Sequence, residues 1–144
     1  MNKLDLYANK LQKIVDDLPN ITIVAVEETK QEAIALNKEQ MIFGVDSNEL
    51  DIGSYASSEY RAMKLNQNPF AGGKVDLRLT GAFHRAMFAE TSGNLLKIDS
   101  NDPKRSKLVE KYSDNIFGLH KRNTEKYKKT VYLYIIKTIK ERLK

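Results

Sequence analysis

The chain has 144 residues, no cysteine, two histidines, and 24 Lys+Arg against 19 Asp+Glu, a net charge of +5. That length makes one domain, 1–144, long enough to bury roughly 70% of its unfolded surface without covalent staples, and 41% apolar residues exclude wholesale disorder. Without cysteine there is no disulfide, no Cys-based zinc site, no iron–sulfur cluster and no thiol nucleophile.

No apolar run approaches the roughly 18 residues of a membrane span. The start, MNKLDLYANKLQK, has no signal-peptide apolar region, so the expectation is a soluble, non-exported chain with no membrane partner. The charge is unevenly spread. Residues 1–100 hold 11 basic and 14 acidic residues, and residues 101–144 hold 13 basic and 5 acidic. Such asymmetry fits an anionic partner for the C-terminal third, or simply a solvated basic helix face.

Residues 3–18 place Leu4, Tyr7, Leu11, Ile14, Val15 and Leu18 at helical spacing, with Lys3, Lys10, Lys13, Asp16 and Asp17 on the other face. Pro19 is expected to stop this helix, because the residue before a proline is pushed out of the α region. Asn20 is placed to cap a second helix over residues 21–43. Its β-branched start leaves a strand open there, but Glu, Lys, Gln, Ala and Leu dominate from Val26 on. Val26, Thr29, Ala33, Leu36 and Gln40 form one stripe, and Ile34 and Met41 lie on another flank. Such a helix touches more than one neighbour. Gly44 suits the position after its end.

Residues 44–58 are turn-rich. Asp46, Asn48 and Asp51 do not match the calcium-loop pattern, since Leu50 and Asp51 stand at its fifth and sixth places, so an Asx-rich turn is expected. Residues 59–66 read as a short helix and 67–74 as a loop. Gly72-Gly73-Lys74 lacks the phosphate-loop spacing, with Val75 where Ser or Thr would stand. A stretch as long as 44–74 with little regular structure is unusual in a compact domain unless it works, and insertion into a neighbouring subunit would explain it.

Residues 75–80 alternate as a half-buried strand does, and Gly81 ends the alternation. Residues 82–89 read as a helical turn leading into a strand, and 85–99 as a β-hairpin turning at Ser92-Gly93-Asn94. Asn101 or Asp102 is placed to cap a helix with Pro103 at its first position, carrying Leu108, Val109 and Tyr112. Residues 115–119 form a connection with an apolar anchor. Asn123 is placed to cap a last helix over 124–143, with Tyr127, Val131, Tyr134, Ile135, Thr138, Ile139 and Arg142 as its buried stripe. The expected fold class is α+β: two N-terminal helices, a small antiparallel sheet with a β-hairpin, and two C-terminal helices.

Catalytic patterns are missing. His84 and His120 sit in no metal-ligand spacing, and no G-x-S-x-G elbow is present. Asp16-Asp17, Glu27-Glu28 and Glu28/Glu32 read as solvated helix faces, with no E-x-x-H to complete a carboxylate metal site. No catalytic residue, cofactor or metal ligand is expected. The interface or anion-facing candidates are Lys126, Lys128, Lys129, Lys137 and Lys140 on the last helix, joined by Arg142 and Lys144 and interleaved with Tyr127, Tyr132 and Tyr134. Phosphate contacts need only such cations, and no nucleic-acid motif accompanies them.

One stretch is more specific. Residues 79–119 carry Leu79-Thr80-Gly81, Ile98-Asp99-Ser100, Lys111-Tyr112 and Ile116-Phe117-Gly118-Leu119, preceded by Gly53-Ser54-Tyr55 and Asn68-Pro69. In these marks the chain resembles small structural proteins of the neck and tail of tailed bacteriophages, of the head–tail joining or tail-completion type, with the flavour of crAss-like phages of Bacteroides-type hosts. The resemblance implies a non-catalytic virion protein, assembled in the host cytoplasm, forming a homo-oligomeric ring around the DNA channel. It implies the portal, an adaptor ring or tail proteins as stacking partners, with genomic DNA in the channel, and no cofactor. A basic DNA-binding accessory protein using the last helix is the alternative.

Overall fold

The computed structural model describes residues 2–93 and 95–144. Among them, five α-helices and one two-stranded antiparallel sheet make an α+β fold that is 64% helical. The helices are α1 (Lys3–Ile42), α2 (Ser58–Gln67), α3 (Ala82–Arg85), α4 (Arg105–Tyr112) and α5 (Lys121–Leu143), and the strands are β1 (Met87–Ser92) and β2 (Leu95–Ser100). Short 3₁₀ turns lie at Pro69–Ala71 and Asp114–Ile116.

The two expected N-terminal helices are one. α1 runs 40 residues, about 60 Å at 1.5 Å per residue, and carries Pro19 inside it. Its start is a capping box. The Asp5 amide donates to Asn2 Oδ1 at 2.8 Å, and the Asn2 amide donates to the Asp5 carboxylate at 3.4 Å. Pro19 removes one backbone donor, but it does not break the helix, because the flanking turns are held by tertiary packing. Ile14 and Ile21 are buried either side of it. Arg142 Nη1 of α5 meets the Asp17 carboxylate at 2.6 Å. Asn20 caps nothing; its side-chain amide donates to Asp17 Oδ1 at 2.9 Å. The bias that proline exerts is a local preference, and packing along α5 outweighs it.

At its other end α1 stops as expected. The Gly44 amide donates to the Met41 carbonyl and the Val45 amide to the Gln40 carbonyl, the paired bonds of a Schellman motif. Gly44 sits at φ +73°, the left-handed conformation that this motif requires of its glycine.

α5 packs antiparallel along α1. Asn123 lies against Leu36 and Gln40 near one end, and Arg142 against Asp17 near the other. The hairpin of β1 and β2 packs on α1 as well, with Met87↔Ser100 and Ala89↔Ile98 paired on its inward face. Ala33, Ile34 and Met41 of α1 join Phe83, Ile98 and Ile116 in the centre of the core, and Ile52, Val75 and Leu77 close it from the 44–81 side. The 44–74 segment therefore rests on the chain's own core and contains α2, which matches the expected short helix.

Three local expectations are corrected. Residues 75–80 form no strand. Val75, Asp76 and Leu77 are buried in succession rather than alternately, the Arg78 amide donates to Asp76 Oδ1 at 3.0 Å, and Leu77 takes φ +58°. A side chain that bonds its own backbone two residues on makes a turn, whatever the hydropathy pattern. The α4 helix begins at Arg105, because Asp102 Oδ1 takes the Lys104 amide at 2.8 Å in a turn before it. Finally, α5 is capped by His120, whose Nδ1 accepts the Asn123 amide at 3.2 Å. Asn123 is needed elsewhere. It is buried and donates to the Leu36 carbonyl and to Gln40 Oε1. The α5 stripe from Tyr127 to Ile139 is half-buried, whereas Arg142 is exposed. The hairpin stands where expected, although Asn94 at its turn lies outside the described residues.

Candidate functional site

Two surfaces carry the sequence candidates: a groove beside the Leu79-Thr80-Gly81 stretch, and the stalk made by the lower half of α1 with the end of α5.

The groove has a volume of about 310 Å³ and is floored by Tyr55, Leu77, Phe83, Leu108 and Tyr112, with Arg78, Lys104 and Lys111 at its rim. Its walls come from three segments, 55–64, 75–83 and 102–112. Gly53 lets two of them approach: a Cβ there would lie 2.8 Å from the Tyr112 ring. Tyr55 and Tyr60 stack edge to face at 4.9 Å, and Lys111 sits 5.2 Å above the Tyr112 ring. Burial, followed by the negative charge of Asp76, pushes the Tyr55 phenol above the ordinary tyrosine range.

Beneath the groove lies a buried ion pair. Lys64 of α2 meets Asp76 at 2.7 Å, with side chains only 3% and 1% exposed. Lys64 also donates to the Arg78 carbonyl, and Asn68 donates to the other Asp76 oxygen at 3.0 Å. Burial pushes the Asp76 carboxyl up, but the hydrogen bonds from Lys64, Asn68 and the Arg78 amide outweigh it and hold the group below the usual carboxylate range. His84 is buried against the Asp76 carbonyl, its Nε2 3.0 Å away, and burial pushes its pKa down. The neutral ring is thus favoured. Every one of these groups is engaged by another part of the 64–84 region, so the cluster acts as a clasp on it. Nothing in the sequence pattern singles out Lys64, which looks like one more lysine on an amphipathic helix.

The resemblance-bearing residues divide in two. Leu79 is exposed at the groove rim, and the Thr80 hydroxyl accepts the Ala82 amide at 3.3 Å, just before α3 starts after Gly81. The 116–119 residues instead anchor the core. Ile116 is fully buried, and Phe117 lies 5.9 Å from the Phe83 ring. Their backbone is held by two amide side chains of α1. Asn37 Nδ2 donates to the Ile116 carbonyl and Asn37 Oδ1 accepts the Gly118 amide; Gln40 Nε2 donates to the Gly118 carbonyl and Gln40 Oε1 accepts the His120 amide. These two residues do for 116–120 what a neighbouring strand would do. Leu119 is half-buried against the same core.

The α5 lysines are all exposed, and they are not one patch. Arg122, Lys126, Lys129, Leu133, Ile136 and Lys140 share one stripe by their spacing. Lys126 and Lys129 border an open depression with Arg122 and Glu49. Lys128 points to a flank and pairs with Glu125 at 3.3 Å, and Lys137 lies beside the stripe. The cationic run is interrupted by Tyr132, Leu133 and Ile136, all exposed.

These apolar residues belong to a larger feature. Below the hairpin, α1 and α5 stand as a two-helix stalk, and α1 continues past the end of α5 as a bare arm of residues 3–13. Of the 17 large apolar side chains exposed among the described residues, ten lie on this stalk: Leu4, Leu6, Tyr7, Leu11, Val15, Ile23 and Val24 on α1, and Tyr132, Leu133 and Ile136 on α5. Two helices cannot cover each other on every side. No described helix is long and apolar enough to cross a membrane, and no group of three or more His, Asp or Glu among the described residues is placed to hold a metal ion. Comparison with known proteins finds no family model, no curated protein and no solved structure that matches the chain.

Proposed function

We propose that this protein is a non-catalytic structural component that works by self-association: a homo-oligomeric ring subunit in the head–tail connector or tail of a tailed bacteriophage. The observation that carries the self-association is the stalk, where ten exposed apolar side chains gather on two helices. The bacteriophage assignment rests on the resemblance of residues 79–119. In that setting the portal, an adaptor ring or tail proteins would be the stacking partners, with DNA in the channel, and the virion would be the location. Heterologous contacts that close generate rings.

The test is the native mass by light scattering across concentration, with negative-stain imaging. Discrete closed rings are the expected result. A monomer at every concentration that also fails to assemble on a purified portal would overturn the reading.

The second reading is DNA binding through α5, favoured by Arg122, Lys126 and Lys129 side by side on one stripe. It requires an affinity that falls steeply with salt and that is lost in the variant with Lys126→Glu, Lys128→Glu and Lys129→Glu. If that variant loses assembly instead, the lysines serve the interface.

A further inference from the structure

Residues 3–27 of α1 carry a second stripe, about a third of a turn from the one that α5 covers. It holds Leu6, Lys10, Lys13, Asp17, Asn20 and Val24, spaced alternately by four and three residues. All are exposed except Asp17, which is half-covered by Arg142. Reversed end for end, this stripe is complementary to itself. Turned about a midpoint at residue 15, Leu6 falls opposite Val24, Lys10 opposite Asn20 and Lys13 opposite Asp17, each pair occurring twice. Lys3 then falls opposite Glu27. The wider charge pattern agrees. Residues 2–13 hold Lys3, Lys10 and Lys13 against Asp5, whereas residues 14–28 hold Asp16, Asp17, Glu27 and Glu28 and no base.

We infer that this stripe is a docking surface for a second copy of the chain, with the two α1 helices side by side and antiparallel. The inference rests on the self-association reading for the identity of the partner, and it adds the orientation and the contact residues. The basic arm of each copy lies along the acidic segment of the other. Because Arg142 sits on Asp17, this also brings the arm level with the end of the second copy's α5. Leu4, Tyr7 and Leu11 continue the line of Ile14 and Ile21 beyond the reach of their own α5 and lie a third of a turn from this stripe, so the contact made here uses Leu6 and Val24 as its apolar ends.

A parallel pairing that put arm on acidic segment would shift the copies by about 14 residues, roughly 21 Å. Repeated, that shift gives an open filament, whereas the antiparallel pair closes on itself as a dimer, so a ring of such pairs is completed by a second, heterologous contact outside this stripe. An acidic lipid surface or an acidic protein would attract the arm and be repelled by residues 14–28.

The chain has no cysteine, so engineered ones report cleanly. Leu6→Cys and Val24→Cys are made as separate full-length proteins, both at exposed positions. Mixed and oxidised at concentrations where the protein self-associates, they are expected to form a disulfide-linked dimer. Each alone is expected to stay largely uncross-linked, because the two copies of residue 6 stand about 27 Å apart, far beyond the roughly 7 Å between Cα atoms that a disulfide allows. Equal cross-linking of each variant alone, or none in the mixture, overturns the inference. In sedimentation, Lys13→Glu is expected to weaken dimerisation about tenfold; Asp17→Lys also breaks the Arg142 pair within the chain, and the double variant is expected to dimerise more tightly than Asp17→Lys alone. Additive loss in the double variant also overturns the inference. Rings without the 6–24 cross-link would leave the ring reading standing and remove this one; cross-linked dimers that never form rings would do the reverse.

Discussion

Lys64→Met tests the clasp beneath the groove. The substitution keeps the length and the apolar stem of the side chain but removes its charge. Asp76 would then remain 1% exposed, with Asn68 and the Arg78 amide as partners and no counter-ion. Breaking a buried pair by removing one partner costs about 3–5 kcal/mol, because the remaining charge is left uncompensated. Against a total stability of about 5–15 kcal/mol for a domain of this kind, that is a large fraction. It corresponds to a fall in Tm of roughly 10–17 °C. The assay is urea unfolding followed by far-UV circular dichroism, with an unchanged slope showing that the same surface is exposed. A second variant isolates the charge. Lys64→Met with Asp76→Asn removes both partners' charges and leaves an oxygen to accept the Arg78 amide, but it turns an NH2 towards the Asn68 amide donor, so it is expected to recover part of the loss. A cost below about 1 kcal/mol for Lys64→Met, or a double variant no better than the single one, would show that the pair is not the clasp described here.

Two further perturbations probe other parts of the structure. Pro19→Ala is expected to stabilise the chain by about 2 kcal/mol, since it restores a donor inside α1 and removes the ring's clash with the preceding turn, less the stiffness that proline gives the unfolded chain; a neutral or destabilising result in thermal unfolding would mean that α1 is not continuous there. His84 has a lowered pKa, so the unfolded chain binds its proton first as pH falls. Stability from the neutral ring is complete above the unfolded value of 6.5 and is lost as pH falls from there towards the lower folded value. Chemical denaturation between pH 7.5 and 5 should show this loss, and His84→Gln should flatten it; an identical slope in the variant would reassign the effect to other groups.

Much of the fold was legible in order of residues. Helical spacing located α2, α4, most of α1 and the half-buried stripe of α5, and turn chemistry located Gly44 and the hairpin. Self-complementarity of the Leu6–Val24 stripe is likewise written in the residue order, although only the exposure of those positions in the folded chain makes it an available surface. The functional candidates were less legible. The α5 lysines were identifiable by type and their division into stripe and flank by spacing, but that Tyr132, Leu133 and Ile136 are exposed among them follows from which side α1 occupies.

Local periods, and the element ends that a single side chain can enforce, follow from residue order, because they depend on residues within one or two turns of each other. Whether Pro19 breaks a helix, and what Asn37, Gln40, Lys64 and Asn123 bind, depend on the folded chain. Each of these is settled by a partner distant in sequence: α5 for Pro19, Asp76 for Lys64, α1 for Asn123, and the backbone of 116–120 for Asn37 and Gln40. A local preference of about 1–3 kcal/mol is outweighed when buried packing and buried hydrogen bonds on both sides of it favour the other outcome.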